Sequence, residues 1–158
     1  MRRTPLSMLA HWAGGSLHGE DVAIDGLSND SRAIVPGSLY LALRGERFDG
    51  HEFAAAAQAA GAAALLVERL LPILPQLVVD NSEQALARIA AAIQADRRTE
   101  VFAITGSNGK TSVKTLLSAI LGHAAQVQGK QVYATPGNRN NEIGLPLAVI
   151  DAPEDADW

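Results

Sequence analysis

Apolar residues along this chain follow two spacings, and their interleaving predicts an α/β protein. Val113, Leu116, Leu117, Ile120 and Leu121 recur at i, i+3, i+4, i+7 and i+8, the period of one helix face, and predict a helix to about His123. Pro5 to Ala13 predicts a short helix stopped by Gly14-Gly15, and Asp49 with Glu52 opens an alanine-rich helix over about His51 to Ala60. Asn81 with Gln84 caps a longer amphipathic helix that ends near Arg97-Arg98, and a short helix is expected at about Ile143 to Ile150. Between these lie short runs that read as strands: Asp21 to Ile24, Ser38 to Arg44, Ala62 to Val67, Leu77 to Val79, Val101 to Ile104 and Gln131 to Ala134. Pro36-Gly37 marks a turn, and Pro72 and Pro75 punctuate a link.

The polar segment Ala95 to Glu100 is the expected boundary between two units. Residues 1–98 read as a small α/β domain, and residues 99–158 as the start of a P-loop-type domain with a mainly parallel sheet. A doubly wound nucleotide domain needs more βα units than the second part contains. The chain is therefore expected to be a piece of a longer protein, with an unpaired sheet edge and apolar helix faces left exposed in residues 99–158.

Composition narrows the class. The 158 residues are 47% hydrophobic and 19% charged, which is a globular balance. A net charge of −4 with interspersed signs argues against a general nucleic-acid binder, and 4% aromatic residues argue against base-stacking platforms. With no cysteine, a disulfide framework and a cysteine zinc site are both ruled out. The apolar stretch after Met1-Arg-Arg is too short for a signal peptide, and no run reaches the roughly 18 residues of a membrane span, so a cytoplasmic location is expected.

The chemistry concentrates at Val101 to Ser112. A β-rich run breaks into a glycine turn, and the turn runs into the helix. Gly106 and Gly109 let backbone N–H groups approach an anion at the positive end of that helix, with Ser107 and Asn108 between them. Lys110 supplies a point charge for β/γ-phosphates, and the Thr111 hydroxyl, followed by Ser112, a ligand for Mg²⁺. The loop departs from G-x-x-x-x-G-K-[ST], because position 104 is Ile104 rather than glycine. An ordinary glycine turn is the bland competitor; strand, both glycines, Lys-Thr and an amphipathic helix in order favour nucleotide binding.

Thr105-Gly-Ser-Asn-Gly-Lys-Thr-Ser-Val-Lys114 resembles the ATP loop of the Mur ligases and the related folylpolyglutamate synthases. Asn29-Asp-Ser-Arg32, with the stretch from Val35 to His51, resembles the amino-terminal UDP-binding domain of the later Mur ligases. Thr135 to Pro146, with its Asn-Arg-Asn-Asn core, resembles the loop of those members that add D-Ala-D-Ala. The resemblance implies an ADP-forming ligase of bacterial peptidoglycan synthesis, with ATP and Mg²⁺, acting on UDP-MurNAc-tripeptide and D-Ala-D-Ala, monomeric at full length. It implies catalytic roles for Lys110 and Thr111, and a phosphate cradle from Gly106 to Ser112. It gives uridine and its diphosphate to Asn29, Ser31, Glu46, Arg47 and Phe48, and the sugar or peptide to Asn140 and Asn141. The rest of the active site would lie beyond Trp158, so no ligase activity is expected from this chain alone.

Alternatives stay open on residues alone. Another amide ligase of the superfamily fits the ATP loop equally, and so does a non-catalytic nucleotide-binding module. A P-loop kinase is disfavoured by Ile104. Asp30-Ser31-Arg32 also has a reading as a local polar turn, the Asn-rich loop as only a turn before the Ile143 helix, and Arg44 and Arg47 as solvated charges. His11, His18, His51 and His123 lack ligand spacing and read as structural or surface residues.

Overall fold

The computed structural model describes residues 1–45, 48–73, 75–137, 139 and 141–158. Its centre is a five-stranded sheet made of β2 (Ser16–His18), β4 (Gly26–Ser28), β5 (Ser38–Leu41), β6 (Ala64–Val67) and β7 (Gln76–Val78). The strand order is β2-β7-β6-β5-β4; β4 to β7 are mutually parallel and β2 is antiparallel on one edge. A two-residue pair, β1 (Thr4–Pro5) with β3 (Ala23–Ile24), closes one corner. The α/β expectation holds.

Burial explains the strands. Every residue of β5 and of β6 is buried, as a parallel sheet covered on both faces requires. Leu39, Leu41, Ala64, Leu66 and Leu77 face α1 (Leu6–Ala13) and α3 (Ser82–Ala95). Tyr40, Ala42, Leu65 and Val67 face the other way, against α2 (Ala54–Ala59) and the 71–73 link. Leu86 and Ile89 of α3 are fully buried, each contributing about 1.5–3 kcal/mol by burial.

Helix ends follow the sequence signals closely. Asn81 Oδ1 accepts from Gln84 N at 2.8 Å and caps α3, and Gly14 ends α1 in the left-handed conformation. The alanine-rich helix is shorter than expected. Residues Gly50–Phe53 form a 3₁₀ turn first, because Asp49 Oδ1 accepts from His51 N and tightens the entry.

The second part differs more. Helix α4 (Lys110–Gln128) runs past His123 until Gly129 stops it, and α5 (Gly144–Asp151) follows the Asn-rich loop. The strands expected at Val101 to Ile104 and Gln131 to Ala134 do not form. Their neighbourhoods make isolated bonds to the final residues instead, Glu100 N to Asp157 O at 2.9 Å and Tyr133 N to Trp158 O at 2.8 Å, and no ladder builds up. The apolar face of α4 is also uncovered, with Leu116 and Ile120 each 65% exposed and only Ala125 buried. By contrast, α5 returns to the first unit. Leu147 and Ile150 join the core of α1, α3 and the sheet, and Arg97 donates to Val149 O at 2.6 Å and Ala152 O at 2.9 Å.

Candidate functional site

Parallel strands end on one edge, and two of the segments predicted to touch substrate leave from it. After β4 comes Asn29 to Arg32, and after β5 the hairpin from Arg44 to Asp49. In the first, Asn29 is exposed and Ser31 half-buried. Asp30 accepts from Arg32 N at 3.0 Å, Nε at 2.9 Å and Nη2 at 2.8 Å, and these bonds, the side-chain ones foremost, hold its carboxyl at about 2. The local polar turn is therefore real, and among the described residues no side-chain hydrogen bond engages Asn29 or Ser31.

The hairpin is closed at its base. Arg44 and Asp49 form an antiparallel bridge, Gly45 N donates to Phe48 O at 2.9 Å, and Phe48 is 71% exposed. Glu46 and Arg47, named by the sequence reading, lie outside the described residues. Asp49 also accepts from Arg69 Nη1 at 3.0 Å, and Arg44 stands 3.8 Å away. Hydrogen bonds from His51, backbone first, place the Asp49 carboxyl well below the ordinary range. Between the two segments the buried Tyr40 donates its hydroxyl to Gly50 O at 3.0 Å; burial first, then the charges of Asp30 and Asp49, push its phenol up.

The glycine loop opens α4. Gly106 has φ 142° and Gly109 φ 79°, conformations closed to most side chains, and a Cβ on Gly109 would meet nothing within 4 Å. Ser107 and Asn108 are exposed, as are Thr111 and Ser112 in the first turn of α4. No side chain caps that turn, which forms the positive end of a 19-residue helix. Lys110 bends back over the loop, its Nζ donating to Gly106 O at 2.5 Å. This is an arrangement an oxyanion could complete: an uncapped helix start, a lysine beside it, and no carboxylate in an ion pair with that lysine among the described residues.

The Asn-rich loop divides. Asn140 lies outside the described residues. Asn141 uses its Oδ1 to accept from Gly144 N at 2.7 Å, holding the start of α5, which leaves its amide NH₂ for a ligand. Arg139 pairs with Asp151 at 2.6 Å. The sequence reading missed Lys114, whose Nζ donates to Thr135 O at 3.0 Å and Gly137 O at 2.7 Å. Its sequence signals are its place at the end of the Thr105–Lys114 stretch and the i+4 spacing from Lys110, which places both on one helix face. Among the described residues, no hydrogen bond joins the glycine loop directly to the 29–32 or 44–49 segments. His51 is a structural histidine, as read: its side chain is fully buried between Asp49 and the Glu68 N–H.

Among the described residues, no helix is long and apolar enough to cross a membrane. No group of three His, Asp or Glu side chains among them is placed to hold a metal ion.

Residues 23–108 match the Mur ligase family, catalytic domain, and residues 104–157 match the Mur ligase middle domain. The chain is 44% identical over 154 residues to the UDP-N-acetylmuramoyl-tripeptide–D-alanyl-D-alanine ligase of Escherichia coli (strain K12), covering 97% of this chain and 33% of that protein. Its fold is similar to the crystal structure of MurF from Acinetobacter baumannii, with a TM-score of 0.87 at 30% identity over 99% of this chain and 35% of that one. It is similar also to the MurF ligase of Thermotoga maritima in complex with ADP, with a TM-score of 0.73 at 33% identity over 83% of this chain and 30% of that one. The chain spans about a third of the length of the curated relatives it matches.

Proposed function

The chain belongs to the Mur ligase family, and on that premise we propose that it supplies the sugar-nucleotide and ATP-loop parts of a ligase joining D-Ala-D-Ala to UDP-MurNAc-tripeptide. In this reading residues 1–98 hold the UDP end of the substrate and residues 99–158 begin the ATP-binding part, in the cytoplasm. A carboxylate is a poor electrophile until one of its oxygens becomes a phosphate leaving group. ATP therefore transfers its γ-phosphoryl to the terminal carboxylate of the tripeptide, and the amine of D-Ala-D-Ala displaces phosphate to form the amide, releasing ADP and phosphate.

Each residue then has a task. The N–H groups from Gly106 to Ser112 receive the phosphate oxygens, and the Lys110 ammonium leaves Gly106 O for the β/γ-phosphates, where it offsets charge on the transferring phosphoryl. Thr111 would hold Mg²⁺, which would supply positive charge to offset that of the phosphates. Asn29, Ser31, Glu46, Arg47 and Phe48 bind uridine and its diphosphate, with the exposed Phe48 ring offering a stacking face. Asn140 and Asn141 reach the sugar or the peptide.

The observation that carries the reading is the open glycine loop with Lys110 above it, in a chain this similar to ligases of one name. Calorimetric titration with UDP-MurNAc-tripeptide, with UMP as control, tests it. Binding of both, with the full substrate tighter, supports the proposal. ATP binding without affinity for either would instead favour a nucleotide-binding module.

A further inference from the structure

Lysine side chains on helices ordinarily extend into solvent, because holding one in place costs rotamer entropy. Lys114 is held. It is half-buried, and its ammonium donates to two main-chain carbonyls, Thr135 O at 3.0 Å and Gly137 O at 2.7 Å. Among the described residues it has no carboxylate partner, so these two charge-assisted bonds are what fix it. The carbonyls belong to the start of the 135–141 loop, where Gly137 turns through φ 57°. The far end of the same loop is fastened to α5 by Arg139 on Asp151 and Asn141 on Gly144 N.

From this geometry we infer that Lys114 is a positioning residue that registers the 135–141 loop against the helix carrying the nucleotide loop. The inference rests on the functional reading above, in which Lys110 meets the phosphates and Asn141 the sugar or peptide. Lys110 and Lys114 stand one turn apart on α4, so one rigid helix carries both the phosphate contact and the clamp on the substrate loop. The loop cannot shift along α4 without breaking both bonds of Lys114. The transferring phosphoryl and the carboxylate that receives it are thereby held in one frame, which is what a group transfer demands.

The test uses the whole chain with Lys114→Met, which keeps an apolar stem and removes the donors, and Lys114→Arg, which restores them. Hydrogen exchange reads the clamp without any ligand: residues 135–141 should exchange about tenfold faster in Lys114→Met and recover partly in Lys114→Arg. Affinity for UDP-MurNAc-tripeptide should fall about tenfold in Lys114→Met while affinity for UMP stays level, since UMP lacks the sugar and peptide. Unchanged exchange in the loop overturns the clamp. Equal loss of both ligands, or faster exchange with substrate affinity intact, overturns the positioning role. A wild-type chain that binds neither ligand refutes the functional reading instead, and the exchange data still decide the clamp.

Discussion

His51 Nδ1 lies 2.5 Å from Asp49 Oδ1, and the opposite ring nitrogen accepts from Glu68 N at 2.8 Å. Since Glu68 N can only donate, Nε2 must be the acceptor, and the proton of neutral His51 sits on Nδ1, given to the carboxylate. One imidazole thus ties the base of the 44–49 hairpin to the carboxyl end of β6. Glu68 continues the tie, its Oε1 accepting from Ser82 N at 2.8 Å at the start of α3.

His51→Ala leaves the half-buried Glu68 N–H without its acceptor and opens a cavity beside β6. Unfolding free energy should fall by about 2–4 kcal/mol, from the lost partner and the lost packing together. Urea denaturation followed by circular dichroism measures it, and a loss below about 0.5 kcal/mol would refute the hub.

Asp49 titrates lower in the folded chain than its usual 3.8, and Asp30 falls to about 2. Both carboxylates therefore contribute stability above the unfolded value, and that contribution is lost as pH falls through the folded one. From about pH 5 downward the wild type should lose stability more steeply than Asp49→Asn, and the gap between the two curves should narrow steadily toward the acid end. Parallel melting curves across that range would show that Asp49 is not the group responsible.

A methyl on Gly50 would stand 2.7 Å from both Leu43 N and Leu43 O, main-chain atoms of the hairpin base. Gly50→Ala must displace that backbone, costing about 1–3 kcal/mol. Thermal denaturation should show the loss. Gly109→Ala meets no atom, and its smaller penalty comes from the positive φ alone.

Lys110→Ala should weaken Mg·ATP binding by about 1.5–3 kcal/mol, roughly ten- to a hundredfold in Kd, because a charge-assisted contact is lost. Melting temperature should hardly move, since the lysine's bond is to one exposed loop carbonyl. Calorimetric titration that finds the same Kd for mutant and wild type would reduce the loop to a structural turn.

Local signals carried much of the sequence reading. The cap at Asn81, the stop at Gly14 and the glycine loop each act over a few residues, so the chain states them directly; the stop at Gly129 lies six residues past the end expected at His123. Strands at 101–104 and 131–134 failed because a strand is defined by its neighbour, and β propensity in Val101 or Tyr133 cannot supply one. Helical periodicity in α4 was right about conformation and silent about cover: the spacing of Leu116 and Ile120 says which face is apolar, never what lies against it. Lys114 and the Glu68–Ser82 contact went unread because each joins segments distant in sequence through single side-chain contacts.

The seating of α5 beside α3 sets an order of events during synthesis. A growing chain emerges amino end first, and the sheet with α1 and α3 is available early. Its core is nevertheless unfinished, because Leu147 and Ile150 have yet to be made and the backbone groups that Arg97 will hold do not exist. The nascent first unit must therefore wait with a stripe of α3 uncovered until the glycine loop and α4 have followed it out. Ribosome-bound chains stalled before residue 144 should resist protease less than chains stalled well beyond residue 152.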